Sequence, residues 1–465
     1  MKKPMITLVS VLTALNVLTA CGGGANPSAK ATPDSSAAPS TASTGPVNLT
    51  FWHAMGGANE EVVKKVAKTF NDTVGKEKGI VITPVFQGSY GDLMKKVRAA
   101  VQAKDVKNLP DIVQSPASET AYMKDIPYVV PAQTLADQDA SFRIADLEPN
   151  VVASFSYNGK LIGVPFANST ILLYYNKNLF KEAGLNPEKP PATIDEMGQY
   201  AAKLTKKNGT QTSQWGFSGT PDLYHLSSWI GMQGGYIGNN KNGRANTMTA
   251  VEFDSNGTMK KFMTEWKKAV TYGGIQTGTE TNQNEEFAVG KLAMFVNSTA
   301  GLKGVLNAVG GKFEVGTAFL PKVDAGDKGG VAVGGSALYT MDRDDKAKID
   351  AAREYMKYST SAETQFVWHS GTGYFPVNLK TYDLPDMKAH LDKNPLFKTA
   401  INQLHASSPD TQEPMNAVSS EISTAMKEEI LGYVTDKKDI DKAIASMVTR
   451  INKALADYNR ANSKN

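Results

Sequence analysis

Residues 162–177 read IGVPFANSTILLYYNK and contain two strand patterns on either side of a short polar break. The Asn-Gly dipeptide at 158–159 accepts the positive φ angles of a two-residue turn, so the first strand begins as the second arm of a hairpin. Pro165 has no backbone N–H, and strand pairing should therefore stop or shift there. The apolar run 171–175 predicts a second, largely buried strand. Residues 168–170 are either a crossing from one lobe to another or an ordinary loop.

The chain before this stretch alternates between strand and helix patterns. The predicted elements are a strand at 47–52, a helix at 60–73, a strand at 80–86, a helix at 90–104 and a short strand at 111–114. This order predicts an α/β fold with a mainly parallel sheet and right-handed crossovers. Ligands bind beyond the carboxyl ends of such strands. The loops to watch are therefore 52–57, 87–90 and 114–118.

The chain after this stretch becomes mostly helical towards its end. Thr193 followed three residues later by Glu196 is a capping box that predicts a helix start. Further predicted elements are strands at 214–218, 292–296, 313–320 and 331–341, and helices at 223–232, 263–270, 351–358, 363–368, 420–433 and 440–458. The glycines and proline of residues 371–376 predict a turn that presents Tyr374 from an irregular segment.

Length and composition limit the class of protein. A chain of 465 residues is too long for one ordinary core, so we expect two domains. The 50 Lys and Arg against 46 Asp and Glu give a net charge of +4 without a basic stripe, which does not favour nucleic-acid binding. The hydrophobic fraction of 41% is ordinary for a soluble globular protein.

The N-terminal residues indicate export. Lys2 and Lys3 precede an apolar segment at 5–18 that is too short to span a membrane comfortably, and LTAC at 18–21 resembles a bacterial lipobox. Because Cys21 is the chain's one cysteine, we expect a signal peptide at 1–20 and a lipidated, flexible tether at 21–46. The alternative is a plain secretory signal with an incidental cysteine.

Motifs of common enzymes are missing from the sequence. The five histidines show no HExxH spacing, no GxSxG elbow occurs, and Gly310-Gly311-Lys312 lacks the remainder of a phosphate loop. A glycosidase pair of carboxylates is set by three-dimensional separation and stays open as an alternative. We therefore expect a binding protein without metal or other cofactor.

The candidate binding residues are aromatic or small and polar. Aromatic rings can cover the C–H face of a sugar or a choline group; the candidates are Trp52, Tyr90, Trp229 and Tyr374. Hydroxyls and free backbone N–H groups can bind sugar hydroxyls or phosphate; the candidates are Ser169, Ser298, Gly334 and Gly335. The alternative for each tryptophan is a place in the core, and for the glycines a bulge or turn.

Eight motifs together resemble the extracellular solute-binding proteins of ABC importers (family 1), in the cluster that takes up sugars and glycerol phosphates. They are LTFWHAMGG, VFQGSYGDLMKKV, LPDIVQ, GVPFANSTILLYYNKNLFKEAGL, KPPATIDEM, EEFAVGKLAMFVNS, VAVGGSALYTM and GTGYFPV. Their order and spacing extend the resemblance over most of residues 48–460.

The resemblance implies a type II periplasmic-binding-protein fold, similar to maltose-binding protein, with hinge crossovers between two lobes that close on a ligand. We expect an N-terminal lobe from 47–164 and 296–342, and a C-terminal lobe from 165–295 and 343–465. It also implies a monomer that delivers a solute to the transmembrane subunits of a permease. The lipobox adds the expectation of a lipid anchor at the outer face of the cytoplasmic membrane. Two other classes stay open, an extracellular carbohydrate-active enzyme and a structural or signalling lipoprotein.

Residue by residue, the glycerol-3-phosphate binders of the Ugp importer type match this chain in part. The matching site positions are Tyr90, Ser169, Trp229, Ser298, Gly334, Gly335 and Tyr374. The family's ligand-contacting Glu falls at Ala117, although Glu119 is near, and two pocket tryptophans fall near Phe217 and Thr220. The phosphate-binding Arg falls near Met415, with no Arg between 413 and 449. The loss of that bidentate clamp favours a neutral sugar, unless Lys206, Lys207 or Lys312 replaces it.

Overall fold

The computed structural model describes residues 45–278 and 282–462, so the predicted signal peptide, Cys21 and nearly all of the tether lie outside the described residues. The strands are β1 Val47–His53, β2 Ile80–Phe86, β3 Ile112–Pro116, β4 Val129–Val130, β5 Ser156–Tyr157, β6 Lys160–Leu161, β7 Val164–Ser169, β8 Ile171–Asn176, β9 Lys206–Asn208, β10 Gln211–Ser218, β11 Ile275–Gln276, β12 Leu292–Ser298, β13 Val315–Ala318 and β14 Gly334–Met341.

The helices run between and after these strands. They are α1 Ala58–Asp72, α2 Val74–Lys78, α3 Tyr90–Gln102, α4 Thr120–Met123, α5 Ala132–Asp137, α6 Pro149–Ser154, α7 Lys177–Glu182, α8 Ile194–Leu204, α9 Leu223–Met232, α10 Asn239–Gly243, α11 Thr258–Thr271, α12 Gln283–Ala288, α13 Leu302–Val309, α14 Lys346–Ser359, α15 Ala362–Thr372, α16 Pro385–Lys393, α17 Leu396–His405, α18 Ser419–Val434 and α19 Ile440–Asn462. In α10, residues 240–242 have positive φ, so this element is a left-handed turn.

The first sheet has the strand order β2-β1-β3-β14-β4, and β7 also pairs with β14. β1 is parallel to β2 and to β3, as the strand–helix alternation predicts, and β14 runs antiparallel to β3. Its core contains Phe51, Phe70 and Ile112, each fully buried. We call this sheet and the elements packed on its core the first lobe.

The second sheet has the order β11-β10-β12-β8-β13, with β9 on the edge of β10. β10 is parallel to β11 and β12, whereas β8 is antiparallel to β12 and β13. Trp229, Phe262 and Trp266 are buried in its core. We call this sheet and the elements packed on its core the second lobe. The two sheets confirm the two-lobe α/β architecture.

Residues 162–177 carry the chain from one sheet to the other. β7 pairs in the first sheet and β8 in the second, and only Thr170 separates them. The polar break is therefore a crossing, and Asn168 and Ser169 lie in the ladder opposite Gly335 and Gly334. The expected effect of Pro165 is also confirmed, because the register of the β7–β14 pair shifts beside it.

The strands after residue 296 belong to different sheets from those expected. β12 continues to Ser298 in the second sheet, and β13 pairs there with β8. The chain returns to the first sheet only at β14. The expected assignment of 296–342 to the N-terminal lobe is thus wrong for β12 and β13, because a strand pattern does not specify which strand is its partner.

The helices after residue 343 also divide between the lobes. α14, α15 and α16 place Tyr355, Trp368 and Met387 in the first core. α18 and α19 place Met426 and Met447 in the second core. The expected assignment of 343–465 to one lobe is wrong for the earlier helices, since an apolar stripe shows that a helix is buried but not against which sheet.

Candidate functional site

A hydrogen-bonded cluster in the first lobe joins Gln114 of β3 to Tyr90 at the start of α3 and to Ser336 of β14. Gln114 Nε2 donates to Ser336 Oγ at 2.7 Å and to the Tyr90 hydroxyl at 3.4 Å. Gln114 Oε1 accepts from Ala54 N at 3.0 Å, which fixes the amide orientation. Ser89 caps α3 by accepting from the N–H of its third residue, so Tyr90 is held as the first residue of the helix.

Tyr374 lies beside this cluster on the predicted turn. Gly373 ends α15 with a φ of 96°, and the Tyr374 ring stacks on Trp368 with centroids 5.7 Å apart. His369 Nδ1 donates to the Tyr374 carbonyl at 2.7 Å. Burial raises the pKa of Tyr374 to about 12. Burial and then the charge of Tyr374 raise the pKa of Tyr90, so the two phenols are electrostatic neighbours.

The glycine pair allows the second lobe to contact β14 closely. A Cβ at Gly334 would lie 2.8 Å from Cζ of Tyr224, which belongs to α9. The Tyr224 hydroxyl donates to the Ser169 carbonyl at 3.2 Å. Gly335 has a φ of 99°, and a Cβ there would lie 2.0 Å from the Ala167 carbonyl oxygen. Both glycines therefore allow neighbouring atoms to approach the backbone closely, whether or not they bind a ligand; the register shift of this strand pair lies between Ser336 and Ala337.

A cavity of about 280 Å³ lies in the second lobe beyond the end of β10. Its polar lining includes Asp222, His225, Gln283 and Lys427. Asp222 caps α9: its Oδ1 lies 3.1 Å from His225 N and 2.6 Å from His225 Nδ1. Trp229 also lines this cavity, although it is 1% exposed and donates its indole N–H to the Pro321 carbonyl at 2.9 Å.

Two carboxyl groups have opposite pKa shifts near this cavity. Burial alone would raise the pKa of Asp222, but His225 and Lys427 lower it to about 2. Burial, followed by the charge of Asp222, raises the pKa of Glu413 to about 7, and Arg244 offsets part of this. The Glu413 carboxyl makes no hydrogen bond or ion pair with the residues that the structure describes.

Arg244 is half-buried and donates hydrogen bonds to main-chain carbonyls. Its Nε donates to Ala153 at 3.1 Å, its Nη1 to Asn242 at 3.3 Å and Glu413 at 2.6 Å, and its Nη2 to Ser154 at 3.2 Å. Burial lowers its pKa to about 10. Arg244 thus joins the end of α6 to the 242 and 413 segments through four hydrogen bonds of its guanidinium group.

The remaining predicted site residues lie elsewhere. Trp52 is half-buried in β1 between β2 and β3. The Ser298 hydroxyl accepts from Ala300 N at 3.2 Å and caps the turn Thr299–Gly301.

The charged residues considered for phosphate binding lie on the surface or in other contacts. Lys206 forms an ion pair with Glu182 at 2.7 Å on an exposed edge, and Lys207 and Lys312 are exposed. Glu119 forms an ion pair with Arg98. These lysines show no contact with the cluster or the cavity.

The sequence analysis missed several polar members of this site. They are Gln114, Ser336, Asp222, Tyr224, His225 and Glu413. One signal was present: Gln114 follows the apolar pair Ile112 and Val113 at the end of the short strand predicted at 111–114. Buried polar side chains need partners, so a polar residue at the carboxyl end of such a strand points to a site.

The cluster and the cavity are linked through β14 and α9. Ser336 and Gly334 are two residues apart on β14, a distance of about 7 Å. Tyr224 contacts Gly334, and its helix begins at the Asp222 cap. Two lobes joined by a one-residue crossing, with polar and aromatic groups of both lobes gathered at their contact, define a two-lobe binding protein.

Similarity to known proteins supports the assignment to the class of two-lobe binding proteins. Residues 65–399 match the family described as bacterial extracellular solute-binding protein. The chain is 28% identical over 424 residues to the sn-glycerol-3-phosphate-binding periplasmic protein UgpB of Pectobacterium atrosepticum, covering 89% of this chain and 92% of that protein.

Solved structures show the same fold. The cyclic alpha-maltosyl-1,6-maltose binding protein from Arthrobacter globiformis matches with a TM-score of 0.73 and 21% identity, over 89% of this chain and 100% of that one. UgpB from Mycobacterium tuberculosis, solved in complex with glycerophosphocholine, matches with a TM-score of 0.71 and 20% identity, over 90% and 99% of the two chains.

The chain therefore belongs to the bacterial extracellular solute-binding protein family. It is a substrate-binding component of an ABC importer, of the Ugp type, and has the two-lobe, maltose-binding-protein-like fold. Proteins of this class bind small solutes for delivery to a permease and are not enzymes, and the homologues are periplasmic or extracellular. Within the described residues, we find no helix with the length and apolar character to cross a membrane.

Proposed function

We propose that this protein binds a carbohydrate or a glycerol-phosphate-type solute where its two lobes meet. The observation that carries the proposal is the gathering of Tyr90, Gln114 and Ser336 near Tyr374 on the first lobe. Two phenols and a fixed amide offer ring faces and hydrogen bonds, which is the combination that sugars and polyols need. The names of the relatives, which bind glycerol 3-phosphate, glycerophosphocholine or maltosyl sugars, support the same range of ligands.

In the proposed mechanism, the ligand shifts the lobes towards a closed state. A ligand that contacts both lobes only when they are closed stabilises that state by its differential affinity. Closure then presents both lobes to the permease. A micromolar dissociation constant corresponds to about −8 kcal/mol, within reach of a few hydrogen bonds and stacked rings in a cleft.

The test is calorimetric titration of the purified protein with maltose, glycerol 3-phosphate and glycerophosphocholine. We expect saturable binding of at least one compound, with a higher melting temperature in its presence. If none of the three, nor a wider panel of sugars, produced heat or a thermal shift, the proposal would be wrong.

A substitution locates the binding site. Tyr374→Ala should weaken binding about fivefold or more, since a stacked ring contributes about 1 kcal/mol beyond the area that it buries, while the fold is retained. Tyr272→Ala is the matched control, because Tyr272 is an exposed tyrosine at the end of α11. Equal affinity of the two variants would remove Tyr374 from the site.

We also propose that Cys21 carries the lipid anchor. It is the one cysteine of the chain and follows a basic and apolar leader. Cys21→Ser should release the protein from the membrane fraction and abolish labelling by radioactive fatty acid, because a lipid-modified cysteine is then lacking. Unchanged membrane association of this variant would show that something else retains the protein.

A further inference from the structure

The end of α15, just before the Tyr374 turn, is capped by a lysine side chain. Lys303 Nζ donates to the Gly371 carbonyl at 2.8 Å and to the Ser370 carbonyl at 3.5 Å. The last carbonyls of a helix have no partner within the helix, and they form the negative end of its dipole. An ammonium group at this place therefore supplies both the missing donor and a favourable charge.

The lysine and the helix that it caps belong to different lobes. Lys303 lies on α13, whose Leu302 and Val305 pack in one cluster with Leu172 of β8, a strand of the second sheet. α15, in contrast, places Trp368 in the core of the first lobe. The hydrogen bonds of Lys303 thus join the second lobe to the first.

The end of α15 also packs closely against both lobes. A Cβ at Gly371 would lie 2.7 Å from Cγ2 of Val62, which belongs to α1 of the first lobe. A Cβ at Gly373 would lie 3.7 Å from the carbonyl oxygens of Thr299 and Ala300, just before α13. The last turn of α15 therefore lies between α1 and the start of α13, and Lys303 makes hydrogen bonds across the second of these contacts.

Tyr374 follows this capped turn directly. Its N–H donates to Thr372 Oγ1 at 3.3 Å, and its ring stacks on Trp368 with centroids 5.7 Å apart. Gly373 N donates to the His369 carbonyl at 2.8 Å and ends the helix. Each of these contacts is made to the last turn of α15. A donor that fixes this turn therefore also fixes the direction of the Tyr374 phenol.

Resting on the proposed function, we propose that Lys303 is a positioning residue of the ligand site: from the second lobe, it holds the turn that presents Tyr374 in the first. Lys303 acts through Tyr374 and does not itself touch the ligand. Without the cap, the end of α15 samples further positions, and the ligand binds only the fraction of molecules in which Tyr374 is in place. Because the cap joins the lobes, this fraction depends on how the lobes are arranged.

Hydrogen–deuterium exchange tests the cap without any ligand. Lys303→Met keeps an unbranched side chain but removes the charge and the donors. Amides of residues 369–376 should exchange at least about twofold faster in this variant, the size expected when a cation is lost from an exposed helix end. Lys312→Met is the matched control, because Lys312 is an exposed lysine shortly after the same helix. Unchanged exchange in Lys303→Met would overturn the inference, whichever ligand the protein binds.

Calorimetric titration with maltose, glycerol 3-phosphate and glycerophosphocholine tests the effect on binding. Lys303→Met should bind any compound that the unaltered protein binds about two- to fivefold more weakly, with a melting temperature close to that of Lys312→Met. Lys303→Arg should restore the affinity, because a guanidinium group carries the same charge and also donates to carbonyls. A lysine with a structural role alone would change the melting temperature and leave the affinity unchanged.

The outcomes separate this inference from the proposed function. If Lys303→Met binds a compound as tightly as the unaltered protein does, Lys303 is not a positioning residue, while the binding function stands. If Lys303→Arg binds no better than Lys303→Met, the charge and the donors are not what holds the turn, and the proposal is wrong. If no compound binds to the unaltered protein, nor any member of a wider sugar panel, the proposed function fails and the positioning role fails with it.

Discussion

The stability of the protein should fall in mild acid because of His369. This histidine is 1% exposed on α15, and its Nδ1 donates to the Tyr374 carbonyl at 2.7 Å. Its Nε2 is buried and has no hydrogen-bond partner among the described residues. Burial lowers its pKa from 6.5 to about 4, outweighing the bond to Tyr374, which raises it. Protonation in the folded state would therefore place a buried charge whose Nε2–H has no acceptor among the described residues.

The sign and size of the effect follow from the two pKa values. Above pH 6.5 the imidazole is neutral in both the folded and the unfolded states, and its contribution is constant. Below pH 6.5 the unfolded chain binds a proton that the folded chain does not, so stability falls until about pH 4. The difference of 6.5 − 4 units corresponds to about 3 kcal/mol, at about 1.4 kcal/mol per unit.

Urea titrations at intervals between pH 4 and 7.5 measure this loss. His369→Asn keeps a side-chain N–H for the Tyr374 carbonyl but does not titrate. Subtracting the free energy of unfolding of this variant from that of the unaltered protein, at each pH, isolates the pH dependence that is due to His369. His405→Asn is the comparison: Glu148 raises the pKa of His405, so its stabilisation is present below pH 6.5 and is lost as pH rises through the folded pKa. If the free energy of unfolding varied with pH in the same way for the unaltered protein and for His369→Asn, the reasoning would be refuted.

Three further substitutions test the packing around the site by thermal unfolding. Gly335→Ala should lower the free energy of unfolding by at least about 2 kcal/mol, because φ is 99° at this position and the new Cβ would clash with the Ala167 carbonyl. An unchanged melting temperature would contradict this prediction. Trp229→Phe should lower the free energy of unfolding by about 1–3 kcal/mol, because it removes the N–H that donates to the Pro321 carbonyl. Unchanged stability would show that water takes the place of that N–H. Arg244→Met should lower the free energy of unfolding by about 3 kcal/mol or more, because several buried carbonyls lose their hydrogen-bond donor. Retained stability would mean that the hydrogen bonds of Arg244 between these segments are dispensable.

Local elements of the fold were predictable because their causes are local. The turn at 158–159 has both residues at positive φ, 47° and 72°, as the Asn-Gly pair requires. Thr193 caps α8 by accepting from Glu196 N at 3.2 Å, as the spacing of these two residues predicts. Each of these features is decided within four residues. The sequence carries such information directly.

The pairing of distant segments was not predictable in the same way. β13 and β14 follow one another in the chain but join different sheets. Nothing in either strand specifies a partner more than a hundred residues away. The resemblance to a known family gave the correct overall fold, but it placed the return to the first lobe at residue 296, whereas the chain returns at β14.

The candidate site was also predictable only where its features are local in the sequence. The turn before Tyr374 was recognisable from its glycines, and the helix start places Tyr90; the structure brings the two phenols near each other. Gln114, Asp222 and Glu413 are single polar residues without a motif, and their importance comes from burial and from one another. A sequence without the fold does not reveal such a relation.

The crossing at Thr170 constrains how the lobes can move in the proposed mechanism. Thr299 N donates to the Thr170 carbonyl at 2.8 Å, and Thr170 N donates to Thr299 Oγ1 at 3.2 Å, so the residue between the two sheets is held on both sides. Nearby, Gln403 Nε2 donates to the Ile171 carbonyl at 2.7 Å and Gln403 Oε1 accepts from Leu320 N at 2.6 Å. The bonds between Thr170 and Thr299 extend the β8–β12 pair, so Thr170 should move with the second lobe. Closure should then be a rotation absorbed by the dihedral angles of a few residues beside this crossing, which is how hinges move.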